Sequence, residues 1–305
     1  MHMSVSNIYP KLTERGDPLG DPWCGSPTQA DFAAVEPSGR ARLLAHLAQD
    51  VRAAVVRTIS AAKFGHIGGD LSVADILTCL MFGVLRHRPE DPGWPDRDRL
   101  ILSKGHSAVS LYAVLSMAGY FPPRDLTRFV QALSPLGAHP SRSVPGVETN
   151  TGALGHGLPF GVGCAIAARL SRSVRRVFVV LGDGELQEGS NWEAAMAAGH
   201  RGLGNLVAVV DRNGLQQGAS TETTNRLEPL LERWRSFGWE ATEVDGHDHQ
   251  TLVEVLSLQP GERPRCVVAR TIKGKGVSFI ERRIEWHHKV PSKEQMEQAL
   301  AELRK

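Results

Sequence analysis

An apolar run that breaks at a polar turn occurs twice in the middle of the chain, with a helical stretch between. Residues 177–181 (Val-Phe-Val-Val-Leu) are continuously apolar and rich in β-branched side chains, the pattern of a strand buried on both faces of a parallel sheet. The run stops at Gly182-Asp183-Gly184-Glu185. Residues 188–200 are rich in alanine, with Trp192 and Met196 four positions apart, and this spacing predicts a helix. A second apolar run, residues 206–210, ends at Asp211-Arg212-Asn213-Gly214. Strand, helix and strand predict a β–α–β unit whose right-handed crossover brings Asp183 and Asn213 to one edge of the sheet. Open α/β sheets bind ligands at that edge.

The flanking segments extend the pattern. Leu43, Leu44, Leu47, Val51, Ala54, Val55 and Ile59 form a stripe at helical spacing, which predicts a long helix from about residue 39. It runs into Lys63-Phe64-Gly65-His66-Ile67-Gly68-Gly69, where three glycines beside a histidine suggest a close backbone approach. A second helix is predicted over 72–85, with Ser72 as N-cap and Asp75 at the capping-box position. After a polar, proline-containing loop, a short strand at 99–102 leads to Ser103-Lys104-Gly105-His106-Ser107 and a helix to about residue 118. Helices are predicted at 158–170 and 225–237. A strand at 239–244 enters Asp245-Gly246-His247-Asp248, read as a turn and helix cap. A strand at 265–271 enters Lys273-Gly274-Lys275-Gly276, and an amphipathic helix follows over 292–304. Strands alternating with helices predict an α/β fold, doubly wound, with a mainly parallel sheet and helices on both faces. This domain is placed at residues 39–305. Residues 1–38, rich in Pro, Gly, Asp and Ser without periodicity, read as an irregular arm.

Composition narrows the picture. A hydrophobic share of 41% over 305 residues supports one sizeable core. A net charge of +2 gives no nucleic-acid footprint. No uninterrupted apolar run approaches the roughly 20 residues of a membrane span, and no positive-then-apolar leader opens the chain. Cys24, Cys79, Cys164 and Cys266 are scattered, which fits free thiols in a reducing cytoplasm better than disulfides or a zinc site.

A carboxylate and an amide at one sheet edge are oxygen donors for a hard cation such as Mg²⁺, and a glycine-flanked turn before a helix offers N–H groups to a diphosphate. Gly-Asp-Gly alone is an ordinary turn; its pairing with Asp-x-Asn-Gly after the next strand makes it a candidate site. His66 and His106 sit in glycine-containing loops, and His139 precedes Pro140. Imidazole both donates and accepts and titrates near neutral pH, so it suits work on hydroxyl and carbonyl groups. Lys273 and Lys275 fit a phosphate loop or a solvated one equally.

The stretch G-D-G-E-L-Q-E-G-S-N-W-E-A followed by N-G-L-Q resembles the thiamine diphosphate motif of transketolases, and more closely the separate amino-terminal subunits of two-chain transketolases. The resemblance implies that Asp183, Asn213 and the carbonyl of Leu215 hold Mg²⁺ on the diphosphate, with Gly182, Gly184 and Glu185 in the same motif. It implies that Glu188 joins a hydrogen-bond network across the subunit contact. The family's S-G-H-x-G, S-K-G-H and G-H-P-S-R patterns match at His66, His106 and His139, which would line the sugar channel, His106 also approaching the cofactor. P-G-V-E-T-N-T-G-A-L-G-H-G implies that the backbone of Gly152, Ala153 and Leu154 contacts the aminopyrimidine ring. T-I-K-G-K-G-V places Lys273 near the cofactor, and W-H-H-K-V-P places His287 near diphosphate and substrate. Three residues depart from the usual pattern: Asn150 replaces Ser, His156 replaces Gln, and His288 replaces Gly. His156 either tunes substrate choice or fills space; His288 bears on the local backbone path.

The implied activity is transfer of a two-carbon ketol unit from a ketose to an aldose. In the family a glutamate and an aromatic pocket for the pyrimidine ring belong to a second, pyrimidine-binding domain. After the 265–271 strand only about one more helix remains here, so the expected partner is a separate carboxyl-terminal polypeptide, in an α2β2 assembly. Three rivals stand beside this reading: a ketol or acyloin synthase similar to deoxyxylulose phosphate synthase, the alpha subunit of a 2-oxo acid dehydrogenase, and a non-catalytic scaffold or regulatory subunit. The S-K-G-H and P-G-V-E stretches are not expected of the second. Intact Asp183, Asn213, His66 and His106 argue against the third.

Overall fold

Five parallel strands lie in the order β1-β2-β3-β5-β4 in the computed structural model, which describes Phe32 and residues 35–304. The strands are β1 (Arg99–Leu102), β2 (Val177–Gly182), β3 (Leu206–Arg212), β4 (Glu240–Asp245) and β5 (Arg265–Arg270). Every residue of β2 and β3 is buried, as their unbroken apolar runs require. Side chains alternate between two cores. Phe178, Val180, Val207, Val209 and Val267 enter one; Val177, Val179, Leu181, Leu206, Val210 and Val268 enter the other.

The first core is covered by helices α1 (Pro37–Ala62), α2 (Ile67–Thr78), α3 (Ala108–Met117), α7 (His249–Ser257) and α8 (Lys293–Leu303). The second is covered by α4 (Gly157–Leu170), α5 (Gly189–His200) and α6 (Leu230–Ser236), where Trp234 packs edge-on against Trp239 with ring centroids 4.8 Å apart. Helices on both faces of a parallel sheet are the doubly wound arrangement the pattern predicts. Most of the arm lies outside the described residues, as does Cys24. Phe32 and Val35 are buried in the first core, so this domain begins before residue 39. Cys79 and Cys266 are buried free thiols and Cys164 is half-buried.

Several expectations are corrected. Helix α2 starts at Ile67, not near Ser72, and continues as π-helical turns over Cys79–Val84. Ser72 and Asp75 therefore lie inside it, and neither caps it. The helix is buried on every side, so it has no polar face to mark its start. Residues Ile67–Val84 are in fact long and apolar enough to cross a membrane, but 94% of this segment is buried inside the domain. The helix predicted over 225–237 begins only at Leu230, because Pro229 lacks an N–H and stands, itself extended, at the N-cap. Met196 is 56% exposed and plays no part in the core.

Candidate active site

The register fixes where the motifs meet. Gly182 pairs with Asp211, and Arg212 with Arg270, so the loops after β2, β3 and β5 leave the sheet at one level. The loop after β1 joins them. They enclose a cavity of about 330 Å³ lined by residues that include Lys104, His106, Asp183, Asn213, Leu215 and Lys273. The amino end of α2 closes one side. Glycine is needed there, because a Cβ at Gly68 would stand 2.7 Å from the carbonyl oxygen of Trp286.

Asp183 and Asn213 both line this cavity. Asp183 is buried; one carboxylate oxygen accepts from the Gly184 N–H at 2.8 Å, the other from the Gly214 N–H at 2.5 Å and Arg212 at 3.2 Å. Burial and the neighbouring Asp211 carboxylate push its pKa up, so added positive charge at the cavity face would be favourable. The Asn213 side-chain oxygen accepts from the Leu215 N–H at 3.1 Å, and the Leu215 carbonyl accepts from the Lys273 ammonium at 3.2 Å. Among the described residues no cluster of three His, Cys, Asp or Glu side chains has metal-binding form. One carboxylate, one amide oxygen and one backbone carbonyl at a single cavity wall are instead a hard-cation donor set.

Lys273 is 2% exposed and forms no ion pair among the described residues. Burial and the nearby Lys104 lower its pKa to about 8, so the ammonium is still charged at neutral pH. A buried cation without a carboxylate partner calls for an anion from outside the chain. Its Nζ donates to His287 Nδ1 at 2.8 Å, which leaves the imidazole proton on Nε2.

Four other histidines surround His66. Ring centroids lie at 5.4 Å for His106, 5.5 Å for His287, 4.6 Å for His288 and 6.3 Å for His139. Burial, then His288, His139 and the two lysines, lower the pKa of His66 to about 4. Burial and Lys273 lower that of His287 to about 3. Burial and Lys104 hold His106 well below the ordinary imidazole value. All three are neutral near pH 7, each with one donor and one acceptor nitrogen.

Other expected site residues fall differently. Gly152 and Leu154 line the cavity; Ala153 is exposed beside them and does not. His139 is exposed and packs on Gly152, outside the cavity lining. Glu188 occupies the N-cap of α5 on the exposed surface, away from the cavity. Glu185 borders the cavity, but both its oxygens are engaged: one by Ser103 Oγ and the Gly155 N–H at 3.0 Å, the other by the Gly182 N–H at 2.9 Å. It fixes the backbone around Ser103, Gly155 and Gly182 together at the cavity's edge. His156 is exposed and its Nδ1 contacts its own loop's Leu154 carbonyl at 3.0 Å, while Asn150 accepts from the Arg142 N–H at 2.8 Å.

Three charged residues of the site lie within the quoted motifs but receive no role from the sequence. Lys104 pairs with Asp211, both fully buried, and also donates to the Gly69 carbonyl at 3.0 Å. Burial opposes ionisation of Asp211, but Lys104 and the hydroxyls of Ser72 and Thr271 outweigh it and hold the carboxyl below its usual pKa. Arg212 backs Asp183 and is itself held by Thr221, Glu222 and Glu228. Each of the three stands at or just beyond the last positions of a strand, and that placement is the signal that could have found them.

The family model for the transketolase thiamine diphosphate-binding domain matches residues 44–302. The chain belongs to the transketolase family. It is the thiamine diphosphate-binding subunit of a transketolase-type enzyme. It is 48% identical over 83% of its length to one subunit of the apulose-4-phosphate transketolase of Actinobacillus succinogenes, of which 92% is covered. It is 38% identical over 86% of its length to the 6-deoxy-6-sulfo-D-fructose transketolase subunit SqwG of Clostridium sp., of which 96% is covered. Human transketolase is 35% identical, with 84% of this chain matched to 41% of that protein. The transketolase structure from Campylobacter jejuni superposes with a TM-score of 0.81 at 30% identity, covering 86% of this chain and 43% of that one.

Proposed function

We propose that this transketolase subunit binds thiamine diphosphate through Mg²⁺ and works with a separate pyrimidine-binding polypeptide, two copies of each, to move a ketol unit between sugars. The observation that carries the cofactor assignment is the buried Lys273 ammonium, without an ion pair among the described residues, lining one cavity with the Asp183 carboxylate, the Asn213 amide and the Leu215 carbonyl to which it donates. Asp183, Asn213 and the Leu215 carbonyl would hold the metal. Lys273 and the backbone N–H groups around Gly184 would meet the diphosphate. When bound, the cofactor supplies an electron sink for carbanion chemistry.

The chain's own residues supply position and polarity. Burial and Lys273 keep His287 neutral, and the Lys273 contact fixes its proton on Nε2, so that nitrogen is a standing donor. His66 and His106, also neutral, offer donors and acceptors to sugar hydroxyls and to a carbonyl oxygen that gains charge during reaction. Two relatives named as transketolase subunits, covered by this chain over 92% and 96% of their length, support pairing with a second polypeptide. The test is ketol transfer from a ketose to an aldose by the chain alone, by the partner alone, and by both, each with and without thiamine diphosphate and Mg²⁺. Activity is expected only from the pair with both additions. Full activity from this chain alone would refute the two-chain reading. Release of CO₂ from pyruvate in place of ketol transfer would refute the transketolase reading.

A further inference from the structure

His288 stands where transketolases usually have glycine, and the local backbone does not demand one: it is absent from the described residues that adopt positive φ. The side chain is therefore an addition made without backbone strain. Its ring lies 4.6 Å from that of His66 at 49°, and 5.2 Å from that of Phe64 at 74°. Phe64 in turn meets His66 edge-on at 6.3 Å. His288 is exposed where His66 and His106 are half-buried, so it forms the outer wall of the histidine cluster. It makes no hydrogen bond to another described residue. An imidazole held in place by two aromatic neighbours, with both ring nitrogens free, is a ready partner for a ligand hydroxyl.

We propose that His288 is a specificity-determining residue: it hydrogen-bonds a hydroxyl of the ketose donor on a carbon neighbouring the one held by His66. Glycine at this position would leave that hydroxyl to water. A second imidazole so close to His66 therefore selects donors that carry a hydroxyl there over donors that lack it, because a site built to hydrogen-bond a hydroxyl discriminates against its absence. This inference rests on the transketolase reading.

The test uses the assembled two-chain enzyme with His288 intact and with His288→Ala or His288→Gln. Donors are a ketose and a series of its analogues, each lacking one hydroxyl. His288→Ala is expected to raise the donor KM about tenfold, the worth of one good hydrogen bond, with kcat within about twofold. For one deoxy analogue the intact enzyme and His288→Ala should have the same KM. His288→Gln, which can donate and accept, should recover part of the loss. Thiamine diphosphate affinity, read by tryptophan fluorescence, should not change, which a merely structural role would not predict. A donor KM unchanged by His288→Ala for every sugar, or an equal loss for every deoxy analogue, would overturn the inference alone. Absence of ketol transfer by the intact enzyme would overturn the reading beneath it as well.

Discussion

Replacing Lys104 by Met isolates the ion pair on which the floor of the site is built. Lys104 is 1% exposed and Asp211 is 0% exposed, and the pair bridges the loop after β1 to the end of β3. Met keeps most of the stem but removes the charge. Asp211 would retain Ser72 Oγ at 2.6 Å and the Thr271 hydroxyl, neither of which neutralises it. The Gly69 carbonyl would also lose its donor. Removing one partner of a buried pair costs about 3–5 kcal/mol, most of it from the uncompensated charge left behind. Lys104→Met should therefore destabilise the chain by about 4 kcal/mol in urea unfolding followed by tryptophan fluorescence. Adding Asp211→Asn removes the stranded charge and should recover roughly half of that, so the two changes couple by about 2 kcal/mol.

The same pair sets how stability changes with pH. With Lys104 present, the Asp211 pKa is lowered in the folded state. Its contribution to stability is then present above the unfolded carboxyl pKa and lost as pH falls. Without Lys104 the folded pKa rises above the unfolded one, so the penalty is present at neutral pH and disappears on acidification. The gap between the intact chain and Lys104→Met should close towards about pH 4. A loss below about 1 kcal/mol, or a double variant no more stable than the single one, would refute a charged buried pair.

Three further predictions test the rest of the site. Asp183→Ala should weaken Mg²⁺-dependent thiamine diphosphate binding at least about a hundredfold by calorimetry, since it removes a proposed ligand; retained affinity would place the metal elsewhere. Gly105→Ala puts a methyl 2.7 Å from Thr151 Oγ1 and 2.8 Å from the Gly152 nitrogen, so it should cost about 1–3 kcal/mol of stability and weaken cofactor binding by shifting the Gly152 loop. His66, His106 and His287 have folded pKa values below the ordinary 6.5, at about 4 for His66 and about 3 for His287. Their neutral packing is therefore stabilising above pH 6.5 and is progressively lost as pH falls through 6.5 towards 4, so the melting temperature should fall over that range and fall less in His66→Asn.

Much of the fold is legible because its central strands are buried on both faces. Residues 177–181 and 206–210 need no alternation to be read, and each ends in polar residues that can only be at the sheet's edge. Burial on all sides hides helices for the same reason. Helix α2 offers no amphipathic stripe, so its one cap-like pair, Ser72 and Asp75, reads as a start. Both are committed elsewhere. Ser72 reaches Asp211 across 139 positions, and Asp75 binds Arg52, His247 at 2.6 Å and His249 at 2.9 Å.

His247 shows what local reading misses. The Asp-Gly-His-Asp turn does cap α7, through Asp248. Its histidine also accepts from the Ile272 N–H at 2.9 Å through Nε2, so Nδ1 carries the proton given to Asp75. Ile272 precedes Lys273, the buried cation of the site cavity. A carboxylate in the middle of a buried helix is thus connected, through one imidazole, to the backbone that leads into Lys273. No periodicity encodes that link, because its members are 172 and 25 positions apart. The transferable signal is energetic: an acidic residue in an otherwise apolar helix must find cations elsewhere in the fold, and the distant histidines and arginines of a chain are where to seek them.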